Sequence, residues 1–155
     1  MHERFLQQAI DMAADNVMSG RGGPYGAIIV KECQLIAASG NNVTSTLDPT
    51  AHAEIVAIRQ ASKNINSYNL SGSVIYSTCE PCPMCFSAVY WANIREVVFS
   101  LSRYDAEQMG FKDNHIYNEI NINHDERNIR FIKFDHPAVK DLMEEWNRKT
   151  DKFQY

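Results

Sequence analysis

The chain has 155 residues, carries 15 Lys and Arg against 19 Asp and Glu, and has a formal net charge of −4. That length suits one compact domain with a sizeable core. The acidic balance, with no run of basic residues, argues against a protein that binds by neutralising many phosphates, so a nucleic-acid partner is not expected.

No apolar run is long enough for a signal peptide or a membrane span, and a cytoplasmic protein is expected. Four cysteines, three of them crowded between 79 and 85, suit metal binding in a reduced compartment better than a disulfide framework. Phe5, Leu6, Ala9, Ile10, Ala13 and Val17 recur at helical spacing and predict an amphipathic helix over residues 2–18, ended by Ser19-Gly20. The stretch from Gly20 to Pro24 lacks the Gly-Lys-Ser/Thr ending of a phosphate loop and precedes a strand, where such a loop would open a helix. It leads into a predicted hairpin, with apolar runs from Tyr25 to Val30 and from Leu35 to Ala38 joined by Lys31-Glu32-Cys33-Gln34.

Asp48-Pro49 reads as a helix start, the carboxylate serving as N-cap and the proline falling in the first turn. Ile55, Val56, Ile58 and Ala61 carry that helix to Lys63, with His52 and Glu54 close to its first turn. A strand over 73–78 follows, then a helix from Pro83 through Trp91 with Cys82 at its N-cap and Cys85 in its first turn, then a strand over 96–101. Residues 102–128 read as loop with short helices near 105–109 and 114–120, and 130–134 as a fifth, weaker strand. A last helix over 137–149 carries Val139, Leu142, Met143 and Trp146 on one stripe and leaves a short tail. With no repeat or linker, this order indicates an α/β layered fold with a mixed sheet.

His52-Ala53-Glu54 and Pro81-Cys82-Pro83-Met84-Cys85 supply three borderline or soft ligands and a carboxylate that need not touch the metal. This is the inventory of a catalytic zinc site that keeps one position open for water. His52 and Glu54 lie about 200 degrees apart around a helix. Only near a helix start, where side chains lean back past the end, can both face one site. The positive end of a helix also favours Cys82 and Cys85 as thiolates. Two thiolates and a neutral imidazole leave zinc with little net charge to acidify water, so a neighbouring base is needed. Glu54 can accept the water proton, return it to a substrate ring nitrogen and support release of the amine as ammonia. Cys79 makes a second Cys-x-x-Cys with Cys82 and could close a four-ligand structural site, although its place at a strand end fits a buried thiol better. Such a closed site would make the chain a non-catalytic zinc-stabilised binding module. Cys33 reads as a free thiol, and His2, His115, His124 and His136 as solvated or capping residues.

Thr50-Ala51-His52-Ala53-Glu54 together with Cys79-Glu80-Pro81-Cys82-Pro83-Met84-Cys85 resembles the cytidine deaminase superfamily, whose His-x-Glu and Pro-Cys-x-x-Cys signature marks zinc deaminases of nucleobases. The wider pattern is similar to the bacterial guanine deaminases: Gly22-Gly23-Pro24-Tyr25-Gly26-Ala27, Asn41-Asn42-Val43-Thr44, Asp48-Pro49-Thr50, Tyr90-Trp91-Ala92, Gly110-Phe111 followed by Asp113, and the ending Phe153-Gln154-Tyr155. The resemblance implies a three-layer α/β/α fold around a five-stranded mixed sheet, one zinc per subunit on His52, Cys82 and Cys85, and a homodimer that swaps its C-terminal segment, residues 137–155. It further implies that Glu54 and Asp113 are catalytic, and that Tyr25, Asn41, Ala53, Trp91, Asp113 and Tyr155 contact a purine base. In that assignment Tyr25 stacks on the base, Asn41 hydrogen-bonds it, and Tyr155 covers the site of the partner. The position of Tyr25 often holds phenylalanine, and Lys112 stands where an acidic residue can precede the aspartate. The implied reaction is hydrolysis of guanine to xanthine and ammonia. Within the same superfamily the alternatives are cytosine, another purine, or adenosine in transfer RNA.

Overall fold

The computed structural model describes residues 1–111 and 113–153. They form two compact units, Met1–Tyr117 and Asn118–Tyr155. In the first unit, helix α1 (His2–Met18) leads into strands β1 (Gly26–Lys31) and β2 (Gln34–Gly40), a short helix α2 (Val43–Thr46) and helix α3 (Ala53–Asn64). Strand β3 (Ser73–Cys79), helix α4 (Pro83–Trp91), strand β4 (Glu96–Leu101) and helix α5 (Arg103–Gln108) follow, and helix α6 (Asn114–Asn121) runs into the second unit.

The sheet has four strands among the described residues, in the order β2-β1-β3-β4. β1 pairs antiparallel with β2 and with β3, whereas β3 and β4 run parallel, so the sheet is mixed. The β1–β2 turn places Glu32 and Cys33 at φ 50° and 62°, the left-handed pair that a two-residue hairpin needs to match strand twist. The unbroken apolar run of β1 has a plain cause. Ala27 and Ile29 pack with Ala53, Ala57 and Ala61 of α3 and Val89 of α4, while Ile28 and Val30 pack with Phe5 and Ala9 of α1 and with Tyr76. Both faces of the strand are therefore buried, and alternation with polar residues is lost. The small residues let the helices come close: a Cβ on Gly26 would run into the carbonyl oxygen of Ala9.

Two sequence expectations are corrected here. The helix expected from Asp48 starts at Ala53, with His52 as its N-cap. Asp48 instead closes a turn, accepting the backbone N–H of Thr50 at 2.8 Å and its hydroxyl at 2.7 Å, a local side-chain bond that competes with helix initiation. The expected fifth strand over 130–134 is not formed, since those residues lie in no helix or strand. A strand needs a partner for its backbone N–H and C=O groups, and Phe131, Ile132 and Phe134 are exposed.

Within the second unit, the backbone N–H of Asn128 donates to Glu119 at 2.9 Å, and His124 stacks on Phe131 with ring centroids 4.8 Å apart. Helix α7 (Pro137–Arg148) begins at His136, whose Nδ1 accepts the N–H of Ala138. Its apolar stripe, Val139, Leu142, Met143 and Trp146, is exposed. No helix among the described residues is long and apolar enough to cross a membrane.

Candidate active site

α3 and α4 begin in the same way. His52 and Cys82 are their N-caps, both with extended backbone (φ −62°, ψ 154° and φ −63°, ψ 168°), and Glu54 and Cys85 fall in the first turns. Each helix follows a break in the chain, at Thr50-Ala51 for α3 and at the end of β3 for α4, so the two N-terminal ends meet at one place. His52 Nδ1 lies 3.6 Å from Cys82 Sγ and 3.6 Å from Cys85 Sγ, and the three ligand atoms are all within 4.8 Å of one another. A tetrahedral zinc with bonds of about 2.3 Å to sulfur and about 2.05 Å to nitrogen sets such N···S pairs about 3.6 Å apart. The donor set therefore fits zinc, with His52 binding through Nδ1. Cys79 is not in this group: its Sγ lies 3.7 Å from the carbonyl oxygen of Ser102, and burial pushes its thiol up to about 11. The closed four-ligand site is thus not formed among the described residues.

The titrating groups of the cluster shift one another. A hydrogen bond from Cys85 lowers the thiol of Cys82 to about 4, and His52 adds to the effect. Cys85 is shifted up in turn by its hydrogen bond with Cys82 and by burial. His52 is raised chiefly by its hydrogen bond to Cys82. Glu54, almost fully buried, is raised by desolvation, and its Oε1 accepts a hydrogen bond from Ser77 Oγ at 3.2 Å.

A cavity of about 280 Å³ opens over this cluster, lined among others by Tyr25, Asn41, His52, Glu54, Phe111 and Asp113. Tyr25 meets Phe111 edge-on, centroids 4.8 Å apart at 77°. Asn41 Oδ1 accepts the backbone N–H of Val43 at 3.1 Å. A backbone N–H can only donate, so this bond fixes the amide orientation and leaves the Asn41 NH₂ as the free donor. Burial raises the Asp113 carboxyl, with the charge of Cys82 adding to it. Ala53 is fully buried between His52 and Glu54. Trp91 closes α4 at the end away from Cys82 and does not line this cavity. Tyr155 and Lys112 lie outside the described residues.

Sequence reasoning missed two supporting residues. Buried Asn16, at the end of α1, donates to the carbonyl oxygens of Gly23 at 2.9 Å and Asn41 at 2.8 Å, tying the glycine stretch to the cavity wall. Its signal was a polar residue on the apolar side of an amphipathic helix. Ser77 shares a face of β3 with Ile75, and its signal was a hydroxyl where that face should have stayed apolar.

Residues 1–101 match the family described as the cytidine and deoxycytidylate deaminase zinc-binding region. Over 99% of both chains the sequence is 42% identical to a guanine deaminase of Bacillus subtilis, and an X-ray structure of guanine deaminase from that organism superposes with a TM-score of 0.96, covering 100% of this chain and 99% of the other. A tRNA-specific adenosine deaminase of Haemophilus influenzae is 36% identical over 79% of this chain and 70% of its own. A guanine deaminase structure from Nitrosomonas europaea gives a TM-score of 0.67 at 30% identity, covering 72% of this chain and 64% of that one. The paired helix starts that bring one imidazole and two thiolates to zinc-binding distances, and the match across residues 1–101, agree, and the chain belongs to the cytidine and deoxycytidylate deaminase zinc-binding family.

Proposed function

We propose that this protein deaminates guanine hydrolytically to xanthine and ammonia. The observation that carries the choice of base is the 42% identity to a guanine deaminase over 99% of both chains. His52, Cys82 and Cys85 would hold the zinc, which would supply the Lewis acidity that lowers the pKa of the attacking water. Glu54 takes the proton that water loses as its oxygen bonds to C2, and passes it to the ring nitrogen beside C2. Glu54, with Asp113 at the amino group, then moves the proton of the hydroxyl now on C2 to the amine, so that the exocyclic C2–N bond breaks, ammonia leaves and the oxygen stays as the carbonyl of xanthine. Tyr25 stacks on the base. The Asn41 NH₂ donates to an acceptor of the purine, which matches the carbonyl of guanine and opposes the amino group that adenine carries at the same carbon. Ala53 contacts the base from the start of α3.

The same reading includes a homodimer. The exposed stripe of α7 and the exposed Ile129, Phe131, Ile132 and Phe134 need cover, and β4 is an edge strand of the sheet among the described residues. A C-terminal segment swapped onto the partner would cover the stripe, supply a fifth strand to the partner's sheet, complete the three-layer arrangement, and bring Tyr155 over the partner's cavity. Trp91, remote from the cavity of its own chain, would serve as a pocket wall only across that interface. Buried ligand thiolates suit a reducing, cytoplasmic setting.

Metal analysis combined with ammonia release from guanine, adenine, cytosine and an adenosine-bearing tRNA stem-loop tests the proposal. Guanine should be turned over fastest by protein holding one zinc per chain. Faster release from the stem-loop would favour the reading suggested by the tRNA deaminase similarity, which a net charge of −4 opposes. A zinc-loaded protein that deaminates none of them would be a binding module.

A further inference from the structure

The two carboxylate oxygens of Glu54 have different neighbours. Oε1 accepts from Ser77 Oγ at 3.2 Å, and Oε2 lies 3.5 Å from Cys85 Sγ. Ser77 is 2% exposed and sits in the middle of the sheet, in register with Ala27 of β1 and Phe99 of β4. Its backbone is therefore held from both sides. A cysteine that holds a metal does so as thiolate and has no proton to donate. With Cys82 and Cys85 so engaged, Ser77 is the side chain among the described residues left to donate to Glu54. The terminal torsion of a glutamate is broad and roughly two-fold, so a buried carboxylate without a fixed donor has no preferred oxygen to present.

We infer that Ser77 is a positioning residue for the proton shuttle: its hydroxyl fixes Oε1 and so turns Oε2 of Glu54 toward the metal ligands and the substrate cavity. This rests on the role given to Glu54 above. Its consequence is kinetic, because proton transfer depends on geometry held to fractions of an ångström, whereas binding of a flat base does not run through Ser77.

The test compares zinc-loaded Ser77→Ala and Ser77→Thr with wild type on whichever base wild type turns over fastest. Ser77→Ala should keep its zinc and a KM within about twofold while kcat falls about 10- to 100-fold, the worth of one hydrogen bond to a charged group. Ser77→Thr should recover most of that loss. Ser77→Val, which matches threonine in bulk but lacks the hydroxyl, should stay slow and gives the comparison if the alanine variant does not fold. In a Glu54→Gln background Ser77→Ala should add nothing further, since residues acting as a unit are not additive. Unchanged kcat in Ser77→Ala, a loss confined to KM or to zinc content, an additive loss in the double variant, or a folded, zinc-loaded Ser77→Thr as slow as Ser77→Val would each overturn the inference. One readout needs no substrate. The infrared carboxylate band that disappears in Glu54→Gln should shift in Ser77→Ala, and a stationary band refutes the positioning role whether or not guanine proves to be the base.

Discussion

The hydroxyl of Tyr25 is sealed from solvent and has no hydrogen-bond partner among the described residues, so its removal should stabilise the protein. In Tyr25→Phe the ring keeps its edge-on contact with Phe111 and its place in the cavity wall, and only the unsatisfied oxygen is lost. Leaving a buried polar group unpaired costs about 1–3 kcal/mol. Since Tyr25 as a residue is only half buried, the lower end applies, about 1 kcal/mol, which for a chain of this size corresponds to a rise in Tm of about 2–4 °C. The effect has a pH signature. Burial, with the charge of Cys79 adding to it, raises the phenol of the folded protein above its ordinary value, whereas the unfolded chain titrates near pH 10. Below that pH both states keep the proton and the difference between variant and wild type is constant. Above it the unfolded state releases a proton that the folded state retains, so wild type loses stability as pH rises and the advantage of Tyr25→Phe widens. Thermal melts of the zinc-loaded proteins at neutral and alkaline pH measure both parts. A variant that melts lower than wild type at neutral pH, or an advantage that does not grow above about pH 10, would show that the hydroxyl has a partner and refute the reasoning.

Glu54→Gln should keep zinc yet lose about 10²–10⁴-fold in turnover, measured as ammonia release alongside metal content; an equally active variant would remove Glu54 from the chemistry. Cys82→Ala and Cys85→Ala should lose zinc and Cys79→Ala retain it, as read by metal analysis after dialysis, because Cys79 stands outside the ligand cluster. Deleting residues 151–155 should leave zinc bound and lower turnover, and mixed dimers of tail-deleted and Glu54→Gln chains should recover activity, since under the proposed swap the intact tail would cover the one competent site. Mixed dimers as inactive as their parents would refute the swapped lid.

The parts of this protein that were legible in the sequence are those that neighbouring residues determine. Helical periodicity placed α1 and α7, the span of β4 could be read from its apolar run, and Pro83 marked the start of α4 with Cys82 as its cap. The ligand trio was legible for the same reason: His52 and Cys82 each stand one residue before a helix, and a helix start fixes the local direction of the chain. Local logic also misled. Asp48-Pro49 carries the signals of a helix start, but the carboxylate turned to Thr50, and the helix waited until Ala53.

Tertiary structure decided whatever depends on a distant partner. Residues 130–134 have the composition of a strand, but an extended segment becomes one only when another edge takes up its backbone hydrogen bonds, and the described residues of their own unit offer none. Spacing alone offers two Cys-x-x-Cys pairs, Cys79 with Cys82 and Cys82 with Cys85, and the fold realises the pair that the helix start had marked: β3 carries Cys79 toward Ser102 while α4 carries the other two to Nδ1. The bonds from Ser77 to Glu54 and from Asn16 to Asn41 join residues 23 and 25 positions apart. Sequence periodicity reports which face of an element is apolar, because that depends on neighbours within a turn or two. Which buried hydroxyl or amide meets which carboxylate or carbonyl is set by how the helices dock on the sheet, and that becomes defined only when the chain has folded.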